Sequence, residues 1–317
     1  MKLTKNFALI GAAGYIAPRH IQAIRDTKNN LVCACDPHDS VGILDKYFDN
    51  VKYFKEFERF DRFIEKERLA KSEDQIDYVT ICSPNYLHDA HIRFGFRVGA
   101  NVICEKPLVI NPRNLDNLIE LENLYNSKLN TVLQLRCHPS VIELKKKVDN
   151  GPKDHIYNVD LTYITSRGPW YEYSWKGDNS KSGGLVTNIG IHFFDILNWI
   201  FGEKEHTEVH YSDKDTIAGY IVYKKAKVRW FLSVNKKMLP DHVKAEGNST
   251  YRSLEIDKEE FEFSAGFTDL HTKVYEDILN GKGYGIEDSR SAIEIVDDIR
   301  NIDLIEKNSN AHPLLDR

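Results

Sequence analysis

Lys106 is the residue in this chain best placed to do chemistry. It stands in Cys104-Glu105-Lys106-Pro107-Leu108, after a short apolar run from Asn101 and before a helical pattern that opens near Pro112. At the carboxyl edge of an open α/β sheet, where ligands sit, such an ammonium could hold or polarise an oxygen. A second set lies in the other half of the chain. Asn188, His192 and Asp195 recur at i, i+4 and i+7 behind Gly183-Gly184, which predicts one helical face carrying an amide and an imidazole. A free imidazole titrates near about 6.5 and is a ready base for a hydroxyl proton. A lysine starts near about 10.4 and needs burial or neighbouring charge to become one. Of the two, His192 is the readier base and Lys106 the readier cation, with the reverse assignment open. Arg136, Arg167 and Lys176, beside Trp175 in a dense aromatic loop, could hold a carboxylate or a diphosphate. No paired His–carboxylate or Cys spacing supports a metal, and none is expected.

These residues need elements to carry them. Phe7–Ile10 reads as a strand that ends in Gly11-Ala-Ala-Gly14-Tyr15-Ile16-Ala17, and Ile21 and Ile24 begin a helix. Strand, small-residue turn and helix together suit a pyrophosphate, which the glycines admit and the helix N-terminus attracts. Leu31–Cys35 reads as the next strand, with Asp36 at its end to accept from ribose hydroxyls and repel a 2′-phosphate, favouring NAD. The plain alternative for Asp36 is a turn aspartate before Pro37. Further strands at Val51–Phe54, Ile76–Ile81, Val102–Cys104 and Thr131–Leu135 alternate with helices at 56–71, 87–98 and 112–126. That alternation predicts a doubly wound, mostly parallel sheet. Three polar loops then meet at one edge: the glycine turn, Ser83-Pro84-Asn85 to His88, and Glu105-Lys106-Pro107.

Beyond Arg136 the texture changes. A helix at 141–148 is followed by strands at 156–165, 217–223, 228–234 and 251–256, whose polar–apolar alternation predicts half-buried antiparallel pairing. Such a sheet exposes a face that self-association would cover. Helices at 268–279 and 287–306 close the pattern. The expected domains are 1–136 and 137–317, with helix 287–306 packing back on the first.

Composition narrows the class. A net charge of −5 with 29% charged residues carries no basic stripe for nucleic acid. The 5 cysteines are scattered and read as small buried hydrophobes of a reducing compartment. Lys2 and Lys5 ahead of Phe7–Ala17 imitate a signal peptide, but two glycines interrupt the apolar part. No run of 18 or more apolar residues occurs, so no membrane span is expected and a cytoplasmic location is.

Taken in order, the glycine turn with Ala17-Pro18-Arg19-His20, Ser83-Pro84-Asn85-Tyr86-Leu87-His88, Glu105-Lys106-Pro107 and Gly183-Gly184…Asn188-x-x-x-His192 resemble the glucose–fructose oxidoreductase / inositol dehydrogenase / rhizopine catabolism (Gfo/Idh/MocA) family across essentially the whole chain. Gly11–His20, Asp36–Leu44, Phe57–Asp61, Pro169–Asp178 and Thr187–Asp195 are most similar to its UDP-N-acetylglucosaminuronate 3-dehydrogenase branch. The resemblance implies an NAD-binding Rossmann domain, then an open-faced antiparallel sheet, commonly in a homotetramer. It implies that Lys106 and His192 flank the reacting sugar carbon. It also implies oxidation at C3 of UDP-2-acetamido-2-deoxyglucuronate for surface polysaccharide (O-antigen), with 2-oxoglutarate a co-substrate in some members and an aminotransferase next in the pathway. Two departures stand out: Asn188 replaces a frequent Asp, and the glycine turn is one residue longer than the usual form. A dehydrogenase for a free sugar or inositol, and a non-catalytic NAD-binding regulator, are the rival readings.

Overall fold

The structure, a computed structural model, describes residues 4–261 and 269–316. Contacts divide the chain into two compact units, Met1–Gln134 with Thr268–Arg290, and Leu135–Phe267 with Ser291–Arg317. The segment that rejoins the first unit is therefore 268–290. The sequence pointed instead to 287–306, and Thr268 itself lies outside the described residues.

The first unit is a six-stranded parallel sheet in the order β3-β2-β1-β4-β5-β6. Its strands are β1 (Asn6–Ile10), β2 (Asn30–Cys35), β3 (Lys52–Phe54), β4 (Tyr78–Ile81), β5 (Asn101–Cys104) and β6 (Leu129–Thr131). The helices are α1 (Ala17–Asp26), α2 (Phe57–Ala70), α3 (His88–Arg97) and α4 (Arg113–Tyr125). β1 is buried at every position, as a central strand covered on both faces must be. α1 starts with a proline in its first turn, which needs no N–H there, and Thr27 Oγ1 donates to the carbonyls of Ala23 and Ile24 at its end. Left-handed Lys71 and Asn126 end α2 and α4. The order reverses between β1 and β4, which opens a crevice at the carboxyl ends of those strands. β6 stops at Thr131, short of the expected Leu135. Its strand partner, β5, ends at Cys104 opposite Thr131, and the chain turns into a 3₁₀ helix at Gln134–Cys137.

The second unit holds α5 (Pro139–Asn150), β7 (Tyr157–Thr165), α6 (Trp170–Tyr173), α7 (Asn179–Ser182), α8 (Ile191–Phe201), β8 (Lys204–Ser212), β9 (Thr216–Tyr223), β10 (Ala226–Ser233), α9 (Asp241–Ala245), β11 (Thr250–Ile256) and β12 (Glu259–Glu260). Its sheet runs β12-β11-β7-β10-β9-β8. The pairings are antiparallel, as the sequence predicted, except β7–β10, which is parallel, so the sheet is mixed and mostly antiparallel. The cause is connectivity. The chain leaves β7 through residues 166–203, including α8, as parallel neighbours require, and re-enters the sheet at its far edge. Trp230, Phe231 and Leu161 are fully buried, with Phe194 of α8 edge-on to Trp230 at 5.4 Å. Two further helices follow, α10 (Leu270–Leu279) and α11 (Ile286–Asn301), and α10 packs on α1 in the first unit. The helical run Asn179–Phe201 is long and apolar enough to cross a membrane, but 72% of its apolar window is buried inside the fold, which makes it a core helix.

Candidate active site

The glycine turn is pinned from below by the end of β2. Gly11 N–H donates to Cys35 O at 2.8 Å, and Ala13 N–H donates to Asp36 Oδ2 at 2.9 Å. Gly11 has φ +89°, and a Cβ there would lie 2.6 Å from the Cys82 carbonyl carbon, so only glycine lets the turn nest against the loop after β4. Asp36 is buried, and its Oδ1 accepts from His38 N–H at 2.9 Å. It thus shapes the turn from the carboxyl end of β2. A carboxylate offers about four acceptor positions, which leaves capacity for hydroxyls. Gly14 and Ile16 lie in the same turn, Ile16 as the N-cap of α1, while Tyr15 projects with 85% of its surface exposed.

Ser83, Pro84, Asn85 and His88 form the second loop, and the structure ties it to the third. The His88 ring nitrogens face Pro107 O at 2.6 Å and Ser83 O at 2.8 Å. His88 is fully enclosed. Burial pushes its pKa down, and the two carbonyls pull it partly back. Its role here is to join the loops rather than to reach a ligand. Ser83 Oγ meets His91 Nδ1 at 2.8 Å, and burial takes His91 to about 4.

Beneath Lys106 lies an arrangement that sequence reading missed. Glu105 Oε1 lies 3.0 Å from His20 Nε2 and 3.3 Å from His271 Nε2, and Glu105 Oε2 accepts the Lys106 backbone N–H at 3.3 Å. His20 Nδ1 meets the Tyr275 hydroxyl at 2.9 Å, and Tyr275 meets Thr80 Oγ1 at 2.9 Å. All these side chains are buried. Burial would raise the Glu105 pKa, but hydrogen bonds from His20 and His271 hold it well below the usual carboxylate range. Burial lowers His20, so the pair is a carboxylate against a neutral imidazole. The only local signal was His20 closing the Ala17–His20 motif. His271 lies 166 residues beyond Glu105, and no spacing rule joins them.

In the second unit, a π-helical turn at Val186–Gly190 precedes α8 and interrupts the α-helical spacing that would align Asn188, His192 and Asp195. Asn188 Nδ2 donates to the Tyr171 hydroxyl at 2.8 Å. Asp195 instead takes a bidentate, buried pair with Arg136 at 2.6 and 3.0 Å, and Arg136 lies over Trp199. The Arg136 guanidinium is thereby committed to structure, contrary to its expected place among the anion-holding cations. Arg167 and Lys176 do come together. Burial and then the Arg167 charge lower the Lys176 pKa, and Lys176 lies over Trp170 and Trp175 at 5.5 and 5.7 Å. His192 is half-buried at the second position of α8.

The first unit can therefore seat a dinucleotide, and the second carries a cation pair, an amide and an imidazole. The profile described as "Oxidoreductase family, NAD-binding Rossmann fold" matches residues 5–132. That of "Oxidoreductase family, C-terminal alpha/beta domain" matches 145–242. The crystal structure of the WlbA (WbpB) dehydrogenase from Thermus thermophilus, in complex with NAD and α-ketoglutarate, is 45% identical with a TM-score of 0.93, covering 98% of this chain and 99% of that one. The same enzyme in complex with NAD and UDP-GlcNAcA gives 44% and 0.93, with the same coverage. Among curated relatives, YteT of Bacillus subtilis is 28% identical over 50% of this chain and 36% of its own length. Inositol 2-dehydrogenase of Rhizobium meliloti is 26% identical over 64% of this chain and 56% of its own. The match thus spans about a third to a half of those two proteins.

Proposed function

This chain belongs to the Gfo/Idh/MocA family of NAD-dependent oxidoreductases, and from that premise we propose that it oxidises the C3 hydroxyl of UDP-2-acetamido-2-deoxy-D-glucuronate to the 3-keto sugar. The observation that carries the reading is the 44% identity, over 98% of the chain, to an enzyme captured with NAD and this sugar nucleotide. When bound, the nicotinamide supplies the hydride acceptor. The chain's own residues do the rest. His192 takes the C3 hydroxyl proton, so that the C–O bond becomes C=O as the hydride leaves carbon. Lys106 holds the oxygen while negative charge builds on it. Asn188, set by Tyr171, donates to or accepts from a sugar hydroxyl. Arg167 and Lys176, with Trp175, take the anionic groups of the substrate, and a bound anion restores the ammonium that burial disfavours. Asp36 and the Gly11–Ile16 turn take the adenosine half of the cofactor.

The complex of the Thermus enzyme with α-ketoglutarate supports 2-oxoglutarate as a second substrate that returns NADH to NAD⁺. We further infer a cytoplasmic homotetramer whose product feeds an aminotransferase in O-antigen sugar synthesis. Absorbance at 340 nm tests the core of the reading. UDP-N-acetylglucosaminuronate with NAD⁺ is expected to give NADH, and free glucuronate, glucose or inositol are expected to give none. Turnover of free sugars alone would overturn it in favour of an inositol-type dehydrogenase. Stoichiometric NADH followed by its decay on adding 2-oxoglutarate checks the recycling, and light scattering checks the tetramer.

A further inference from the structure

The cluster beneath Lys106 is closed and self-consistent as a hydrogen-bond chain. The Thr80 hydroxyl donates to Tyr275, Tyr275 donates to His20 Nδ1, and the Nε2–H groups of His20 and His271 both donate to Glu105 Oε1. This assignment uses one neutral tautomer of each imidazole and gives every donor an acceptor. The three ligand-type groups His20, Glu105 and His271 lie within 4.8 Å of one another, close enough for a cation. The two imidazole donors nevertheless satisfy the carboxylate without one. What remains on Glu105 is Oε2, which faces the backbone N–H of Lys106.

We propose that His20 and His271 are positioning residues for the Lys106 step: they keep Glu105 ionised and oriented, and Glu105 in turn fixes the backbone from which Lys106 is presented. The role attached to Lys106 rests on the function proposed above. A buried carboxylate without such donors rises in pKa, often by several units, and would protonate within the working pH range. The other ionisable groups around it do not replace them. From α1, the Arg19 charge acts on His20 and lowers it further, and from α10 Tyr275 is neutral, its pKa driven up by burial. The Cys82 and Cys104 thiols at the strand ends are likewise driven up by burial, and His88 at the start of α3 is driven down. Beside the Lys106 backbone N–H on Oε2, the two imidazole N–H groups on Oε1 are what favours the ionised form of Glu105.

The test compares H271L, H271Q and E105Q in the full-length holoenzyme. Glutamine keeps an N–H near the imidazole Nε2 position, and leucine does not. In H271L the acid limb of the kcat/KM profile is expected to move up by about one pH unit or more, with kcat falling about tenfold at pH 6 and KM for sugar and NAD⁺ little changed. H271Q is expected to restore the wild-type profile to within about threefold. E105Q should lose activity evenly across pH. A second arm uses no substrate: hydrogen exchange at the Lys106 amide, read by mass spectrometry, should quicken about tenfold in H271L and not in H271Q. If UDP-N-acetylglucosaminuronate proves not to be the substrate, this arm still decides the positioning claim. Should H271L fold poorly, the pair H20L and H20Q takes its place, because leucine removes the His20 donor to Glu105 and glutamine keeps it; H20L is expected to move the acid limb up and H20Q to hold it. Wild-type profile and protection in H271L would overturn the proposal. So would equal losses in H271Q and H271L without a pH shift, or one equivalent of divalent metal that copurifies with the wild type and leaves with H271L.

Discussion

At the level of single residues the proposed chemistry separates into groups that act on the substrate and groups that hold them. Lys106→Ala and His192→Ala are each expected to lower kcat by about 10²–10⁴-fold, the usual contribution of a positioned acid, base or charge. NAD⁺ titration by protein fluorescence should show affinity near wild type in both. Asn188 belongs with them, but its amide is anchored by Tyr171 at 2.8 Å, so Tyr171→Phe removes one hydrogen bond. The expected effect is about 1 kcal/mol, close to a fivefold loss in kcat/KM, read from initial rates. Lys176→Met should raise KM for the sugar nucleotide and leave that for NAD⁺ unchanged, because the charge that acts on Lys176 is that of Arg167, its proposed partner on the substrate's anionic groups. Arg136 is a different case. Its bidentate pair with Asp195 is buried, so Arg136→Ala should destabilise the fold by about 3–5 kcal/mol, visible in urea denaturation, before it changes binding.

Among the secondary-structure elements, α10 is the least expected contributor. Tyr275 is fully buried, stacks near Phe7 at 5.9 Å and bridges His20 to Thr80. Tyr275→Phe would keep the packing and strip both partners of their bond, at a cost of about 1–3 kcal/mol in thermal or urea melts. Helix 270–279 was legible from its apolar spacing, but no local pattern says which unit a helix will join, because that depends on the face it meets. The Rossmann strands were legible for the opposite reason: Phe7–Ile10 and Leu31–Cys35 are apolar throughout and bounded by glycine or Asp-Pro, so period and punctuation agree. β8 escaped notice because Lys-Glu-His-Thr-Glu-Val-His-Tyr-Ser is polar at most positions, which an edge strand tolerates when it pairs along its length with β9, bulges at two points and meets Leu304 in a single bridge at Val209. The glycine turn and Lys106 could be read from spacing. The His20–Glu105–His271 cluster could not, since its members meet only in three dimensions. Arg136 misled because a lone arginine reads as open to an anion until its carboxylate partner, 59 residues further on, is seen.

For the molecule as a whole, the buried histidines set a pH dependence of stability. Burial lowers the pKa of His20 and His88, and of His91 to about 4. The unfolded chain takes up these protons near about 6.5, where the folded protein does not. Stability is therefore complete above that value and is lost as pH falls toward 4. Glu105, which ionises more readily when folded, adds a further loss below about 4.5. Urea midpoints should fall steadily from pH 7 to pH 4. His91→Phe, which keeps the stacking on Phe57, should remove roughly 2–3 kcal/mol of that slope. The return of α10 to the first unit has a consequence for how the protein is made. Translation delivers Gln134 long before Tyr275, and at about 5–20 residues per second the ribosome needs on the order of ten seconds to cover the gap. During that interval the nascent cofactor half has no Tyr275 to fill the space between His20 and Thr80, and no His271 to meet Glu105. Chains stalled before Leu270 should be clipped by protease within α1, whereas chains stalled with Arg290 already outside the exit tunnel should resist. The cofactor half of this enzyme is thus begun first and finished near the end of synthesis.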